Sequence, residues 1–111
     1  MKEKFRPALQ GLADALHDQG CRTQMILAAL ALCAGFVLKL SAIEWLAVVI
    51  CIGMVITAEI LNTCIEKLCD LYLDEFDERI RLIKDLAAGA VLVSAIAALV
   101  CSLIILLSHI G

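Results

Sequence analysis

The sequence predicts an all-α integral membrane protein, with an N-terminal amphipathic surface helix followed by three transmembrane helices. Hydrophobic residues make up 63% of the 111-residue chain, whereas soluble domains contain roughly 45–50%. The mean hydropathy is +0.99. Long charge-free runs recur along the chain, and the charged residues gather at their ends. We treat residues 1–111 as a single domain, since a chain of this length is sufficient for one.

The charge balance and the cysteines exclude several classes of function. The formal net charge is −3, which argues against a nucleic-acid partner because such partners require a basic surface. The six cysteines form no C-x-x-C pair, and most lie inside apolar runs. Zinc and redox sites need paired spacings. We therefore interpret the cysteines as small residues that are compatible with lipid.

Residues 1–20 combine charged positions with apolar positions at helical spacing. The apolar positions are Phe5, Ala8, Leu9, Leu12 and Leu16. This pattern predicts a short helix lying on the membrane surface, with Pro7 in its first turn and Gly20 as its break. The basic start also suits a signal peptide. We disfavour that alternative because charged residues separate it from the apolar run, and no cleavage motif precedes a polar mature chain.

Three apolar segments follow, at residues 23–40, 44–70 and 79–110. The first is short for a span, which usually needs about 20 apolar residues. A polar turn, Ser41 to Glu44, precedes the second segment, and Trp45 opens that segment at the expected interface. The third is free of charge from Leu86 to Ser108, which is long enough to cross a membrane.

The basic residues predict the orientation of these segments. They lie mainly before the first segment and around the acidic loop at residues 71–79, whereas only Lys39 follows the first segment. Cytoplasmic loops carry the excess of lysine and arginine in membrane proteins. The N-terminus and the loop are therefore predicted to be cytoplasmic, and the C-terminus to lie outside.

The second segment carries an unusual polar face. At roughly 100° per residue, Glu59, Asn62, Glu66 and Asp70 fall within a wedge of about 80°. Glu59 lies about 22 Å from the outer interface of a core about 30 Å thick, where a charge costs about 2.5–3.5 kcal/mol. We predict a functional role for Glu59. The alternative is a structural one, in which protonated Glu59 donates a hydrogen bond to a neighbouring helix. Glu66 falls at the boundary, and Asp70 is interpreted as a solvated helix end.

A second constellation opens the third segment. Its members share one helical face and are Arg81, Lys84, Asp85 and Ala88. Either basic residue alone is also explained by snorkelling toward the interface. The small residues at 87–90 permit close helix approach. We expect this approach to bring Lys84 and Asp85 against the polar face of the second segment.

Carboxylates, an amide and a lysine on the cytoplasmic side suit phosphoryl transfer. Carboxylates hold a divalent cation, a lysine neutralises phosphate, and Glu59 can accept a proton from a lipid hydroxyl held at its depth. One alternative is a small proton-coupled transporter that uses Glu59, although carriers usually lack such partners. A structural scaffold is another, but it would not need Glu59.

Two stretches resemble the signature blocks of the membrane-integral prokaryotic diacylglycerol kinase family, which includes undecaprenol kinases. "EILNTCIEKLCD" is similar to E-I/L-L-N-S/T-A-I-E-x-x-x-D, and "KDLAAGAVLV" resembles the second block. The two blocks have the expected separation, and the likeness extends over nearly the whole chain. It implies a homotrimer with sites shared between protomers, ATP and Mg²⁺, a membrane lipid as acceptor, and a bacterial inner membrane.

The resemblance also implies residue roles. Glu59 matches the family's general base. Glu66 matches the residue that binds the metal and ATP, and Asn62 matches a residue that supports this binding site. Lys84 and Asp85 match nucleotide-binding residues, and Ala88 shares their face. Asp18 occupies the position of a metal-binding glutamate in the family, and its side chain is one methylene group shorter than that of glutamate. The remaining ATP contacts implied are Glu75 and Asp77, in a loop where the family often has a histidine.

Two acceptors fit this resemblance. The run "AAGAVLV" favours undecaprenol, whereas the C-terminal "SHIG" and the short chain favour diacylglycerol. Diacylglycerol is the acceptor we predict, with phosphatidic acid as the product and undecaprenol as the alternative.

Overall fold

The protein consists of helices joined by short connections. A computed structural model describes residues 2–72 and 75–111, apart from the side chains of Lys2 and Lys4. The helices are α1 (Lys2–Ala15), α2 (Gln19–Leu38), α3 (Ala42–Tyr72) and α4 (Glu78–Ile110). Helices α2, α3 and α4 are each long and apolar enough to cross a membrane. The prediction of an all-helical chain with three candidate spans is therefore confirmed. Asp74 of the acidic loop lies outside the described residues.

The junction between α1 and α2 lies at Asp18. Backbone hydrogen bonds close a turn there, with the Asp18 amide donating to the Ala15 carbonyl at 3.0 Å. The Asp18 side chain then caps α2 by accepting from the Cys21 amide, also at 3.0 Å. An aspartate satisfies an otherwise unpaired amide at this position. Gly20 therefore lies inside α2, and the prediction that it separates the two helices was wrong.

The connection between α2 and α3 is a compact reversal. Lys39 adopts a left-handed conformation with φ 55° and ends α2 by donating its amide to carbonyls of the last turn. Ser41 and Glu44 then form a reciprocal capping box. The Ser41 amide donates to Glu44 Oε1 at 2.9 Å, and the Glu44 amide donates to Ser41 Oγ at 3.2 Å. The stretch predicted as a polar turn is thus the cap and first turn of α3.

Trp45 fixes the approach of α2 to α3 beside this reversal. Its indole ring lies 4.9 Å from the Phe36 ring, centroid to centroid, at an interplanar angle of 54°. Gly35 is buried under the same indole, and a Cβ added at Gly35 would stand 2.6 Å from Trp45 Cη2. Glycine is therefore required here for close packing of the helices.

Gly35→Ala is expected to lower the free energy of unfolding by about 1–3 kcal/mol, because overpacking forces the rigid indole to move. Thermal unfolding of the purified protein in detergent measures this change. Gly89→Ala serves as the control, since a Cβ at Gly89 meets nothing within 4 Å. Equal melting temperatures for the two variants would contradict the steric argument.

Helices α3 and α4 run antiparallel and form the most extensive contact in the fold. Small and polar residues lie buried along α3 and α4, including Asn62, Cys69, Ala87 and Ser94. Side-chain contacts join both ends of the two helices: an ion pair between Lys84 and Asp70 at 2.7 Å, and a hydrogen bond between His109 and Glu44 at 2.9 Å. Most of the large apolar side chains point outward, as expected of helices that face lipid or other membrane helices.

Candidate functional site

The polar face of α3 is built around Asn62. This side chain is buried, and its Nδ2 donates to Glu66 Oε1 one turn later at 2.9 Å. Its carbonyl oxygen, Oδ1, is also buried and has no hydrogen-bond partner among the described residues. Glu66 itself is exposed. Asn62 therefore orients the Glu66 carboxylate, while its own buried carbonyl oxygen is left without a partner in the described part of the chain.

Glu59, one turn before Asn62, lies against the first turn of α2. A Cβ added at Gly20 would stand 2.3 Å from Glu59 Oε1 and 3.2 Å from Asp18 Oδ2. The missing side chain at Gly20 therefore lets both carboxylates approach the same point of the backbone. That point is the N-terminal turn of α2, where the helix dipole favours negative charge.

Asp18 is held at this turn by two donors. Its Oδ2 accepts from the Cys21 amide at 3.0 Å and from Thr63 Oγ1 of α3 at 3.3 Å. The hydrogen bond from the Cys21 backbone is the main reason that the pKa of Asp18 lies below its usual value, despite an opposing effect of burial. Asp18 is consequently ionised near neutral pH and available to a cation.

These groups suit a hard divalent cation. Asp18 and Glu66 are the two carboxylates whose charges act on Glu59, and Asn62 Oδ1 adds an unpaired oxygen. Across residues 2–72 and 75–111 no cluster of three or more histidine, cysteine or acidic side chains forms a closed metal cage. Mg²⁺ does not require one, because it keeps several waters and usually takes one or two carboxylates plus phosphate oxygens. The residues present therefore fit Mg²⁺.

A second polar region lies where α3 ends and α4 begins. It is a groove of about 260 Å³, and carboxylates outnumber cations along it. The charged residues that line it are Asp70, Glu75, Asp77, Arg81, Lys84 and Asp85. The groove thus gathers four of the predicted nucleotide-binding residues, namely Glu75, Asp77, Lys84 and Asp85.

The cations of this groove are paired with carboxylates. Arg81 contacts Asp85 at 2.6 Å and also binds Glu78. Asp70 is exposed near the end of α3, as the sequence suggested, and it also forms an ion pair with Lys84. Glu66 is exposed one turn before Asp70 on the same side of α3, so the α3 face leads to the Asp70 end of the groove.

Asp77 has a structural role at the start of α4. Its Oδ1 accepts from the Arg79 amide at 2.8 Å and caps the helix. Contacts with the Arg79 side chain and amide hold the pKa of Asp77 below its usual value. Asp77 remains ionised at the edge of the groove, where it shares the wall with Glu75.

The face of α4 that packs on α3 differs from the face that the sequence predicted. Ala88 is exposed, whereas Ala87 is buried with Ser94. Lys84 turns toward α3, but Asp85 turns to Arg81 on its own helix. The face that packs on α3 is therefore rotated by about one residue from the face that was predicted, and Ala88 does not line the groove.

Sequence reasoning missed Gly20 and Thr63 as parts of the site. Both contacts join α2 to α3, and no periodicity within one helix reveals them. Beside them lies a further groove of about 450 Å³ between α1, α2 and α3. Its wall combines apolar residues such as Leu12 and Ile60 with Asp18 and Lys67.

The family model described as prokaryotic diacylglycerol kinase matches residues 6–106. The chain belongs to this family. It is also similar to the undecaprenol kinase of Bacillus subtilis (strain 168), with 41% identity over 76 residues. That match covers 68% of this chain and 62% of the relative, so the chain spans less than two thirds of the relative's length. With its three apolar helices, this family member is a multi-pass membrane protein.

Proposed function

We propose that the protein transfers the γ-phosphoryl group of ATP to the hydroxyl group of a membrane lipid. The observation that carries this proposal is the polar strip running from Glu59 and Asp18, through Asn62 and Glu66, to Asp70 and its partner Lys84. It connects a carboxylate inside the apolar segment of α3 with a charged groove beyond the end of that segment. Membership of the diacylglycerol kinase family supports the same reaction.

Glu59 acts as the general base. Its carboxylate accepts the proton of the lipid hydroxyl while the hydroxyl oxygen forms the new bond to phosphorus and ADP leaves. The dipole at the N-terminal turn of α2 opposes the repulsion that the Asp18 and Glu66 carboxylates exert on Glu59. The Gly20 backbone closes one side of the carboxylate and restricts the directions from which a hydroxyl can approach.

Asp18 and Glu66 would hold Mg²⁺, and Asn62 orients Glu66 for that task. The bound cation supplies charge neutralisation for the phosphate oxygens. Lys84 adds a positive charge to the γ-phosphate side by exchanging its contact with Asp70 for a phosphate oxygen. Glu75 and Asp77 lie farther along the groove, where they contact the nucleoside part of ATP.

Glu66→Gln is expected to raise the Mg²⁺ concentration for half-maximal activity by about tenfold or more, because a neutral amide is a weaker ligand. Initial rates over a Mg²⁺ series at saturating ATP and lipid measure this effect. Glu78→Gln is the matched control, since Glu78 lies outside the strip and pairs with Arg81. An unchanged Mg²⁺ requirement in Glu66→Gln would argue against a metal role.

The acceptor is a long-chain lipid alcohol that enters from the groove between α1, α2 and α3. That groove places apolar walls beside Asp18. We propose diacylglycerol as the first acceptor, in keeping with the family description. Undecaprenol is the second, because a relative with 41% identity is named as an undecaprenol kinase.

One assay tests the function and separates the acceptors. The purified protein is placed in mixed micelles with radiolabelled Mg·ATP and either diacylglycerol or undecaprenol, and the extracted lipids are separated. Label in phosphatidic acid supports diacylglycerol, and label in undecaprenyl phosphate supports the second acceptor. If neither lipid is labelled, the kinase proposal is overturned. That result would favour the alternative of a proton-coupled transporter that uses Glu59.

We also propose the assembly and the topology. The protein is a homotrimer in a bacterial inner membrane, with α1 lying on the cytoplasmic surface. The start of α2, the end of α3 and the start of α4 meet at one end of the molecule. Most basic residues belong to that end, whereas Lys39 lies at the other. This distribution supports a cytoplasmic site and an outer C-terminus.

A further inference from the structure

Thr63 makes an unusual contact for a hydroxyl within a long helix. Its Oγ1 donates to Asp18 Oδ2 at 3.3 Å and lies 3.9 Å from Cys21 Sγ. By contrast, the hydroxyls of Thr23 and Ser102 donate to carbonyls of their own helices. Within the described part of the chain, these two contacts of Thr63 are the side-chain hydrogen bonds that join α2 to α3.

The two oxygens of the Asp18 carboxylate have different surroundings. Both donors, the Cys21 amide and the Thr63 hydroxyl, act on the same oxygen, Oδ2. Among the described side chains and backbone groups, none donates a hydrogen bond to Oδ1 of Asp18. One oxygen therefore anchors the side chain to both helices, while the other retains its full capacity to bind a cation.

We propose that Thr63 is a positioning residue that holds Asp18 as a ligand for a divalent cation beside Glu59. The inference rests on the metal role given to Asp18 in the proposed function. An aspartate has a short side chain, so its reach is set by its backbone and by its anchoring contacts. Thr63 stands one residue after Asn62, which orients Glu66. Two successive positions of α3 thus orient the two carboxylates of the cation site.

Thr63→Val tests this role, because it keeps the shape of the side chain and removes the hydroxyl. Thr63→Ser keeps the hydroxyl and removes a methyl group. Mn²⁺ alone is titrated into each purified protein in detergent, and free Mn²⁺ is followed by electron paramagnetic resonance. Loss of an outer hydrogen bond typically weakens metal binding by 10–100-fold. We therefore expect the valine variant to bind Mn²⁺ about tenfold more weakly or worse, and the serine variant to remain close to the wild type.

Two controls make the result specific. Thr23→Val removes a hydroxyl that bonds only within α2 and is expected to leave Mn²⁺ affinity unchanged. In an Asp18→Asn background, Thr63→Val is expected to cause no further loss. If the valine variant binds as tightly as wild type, or the serine variant binds as weakly as the valine variant, the positioning role is overturned. A further loss in the Asp18→Asn background overturns it as well.

The test is independent of the kinase proposal. A wild-type protein that binds no Mn²⁺ contradicts the role of Asp18 and Thr63, even when it phosphorylates lipid in the micelle assay. A protein that binds Mn²⁺ through Thr63 but phosphorylates neither lipid contradicts the proposed reaction alone. If Thr63→Val does not fold, Thr63→Ala with the same serine comparison supplies the test.

Discussion

Glu59→Gln is expected to abolish measurable lipid phosphorylation, with a loss of about a thousandfold, while the protein keeps its fold. An amide has the shape of the carboxylate but cannot take the proton of the attacking hydroxyl, and general base catalysis commonly contributes 10²–10⁴-fold. The measurement is the initial rate in mixed micelles at saturating Mg·ATP and acceptor. The melting temperature of the variant in detergent shows whether the fold is retained.

Glu44→Gln is the matched control for this variant. Glu44 lies in the same helix, at the opposite end, where it caps α3 and contacts His109. We expect its activity at moderate temperature to remain within about twofold of the wild type, even where its stability falls, because Glu44 is remote from Glu59 and the polar face of α3. Full activity in Glu59→Gln would remove Glu59 as the base.

Gly20→Ala is expected to reduce the rate by about a hundredfold without loss of stability. The new Cβ would stand 2.3 Å from Glu59 Oε1, so the carboxylate has to move. Displacement of a reacting group by about 1 Å can cost 10²-fold in rate. Alanine favours a helix interior over glycine by roughly 0.5–1 kcal/mol. Activity and melting temperature are therefore expected to change in opposite directions.

Gly53→Ala provides the comparison for this steric effect. A Cβ at Gly53 meets nothing within 4 Å, so the same substitution tests helix propensity alone. We expect it to leave the rate near that of the wild type. Equal activity of the two alanine variants would show that Glu59 tolerates the added methyl group and is not held in place by Gly20.

The sequence was informative where a single helix carried the signal. The face formed by Glu59, Asn62 and Glu66 follows from helical spacing, and the Asn62–Glu66 hydrogen bond is a contact one turn apart. The depth of Glu59 follows from counting along one apolar segment. These features need only the periodicity of α3, which the sequence contains.

Contacts between helices were harder to predict from the sequence. The rotation of α4 about its axis depends on how its small residues meet α3. The prediction named the run at 87–90 for close approach and placed Ala88 on the face of Lys84 and Asp85, whereas the structure buries Ala87. The pairing of Lys84 with Asp70 depends on the same rotation. We predicted that Gly20 breaks the first helix, because glycine is often found at helix ends. Its actual role depends on Glu59, which is remote in sequence.

The paired ends of α3 and α4 have a mechanical consequence. Lys84 meets Asp70 at one end, and His109 meets Glu44 at the other. A slip of one helix along the other by a single turn, about 5.4 Å, would separate both pairs together. Each pair therefore marks the same axial register of α4 on α3, and neither forms in a neighbouring one. The hydroxyl of Thr63 ties the start of α2 to this hairpin as well, so that one register of α3 serves both of its neighbours.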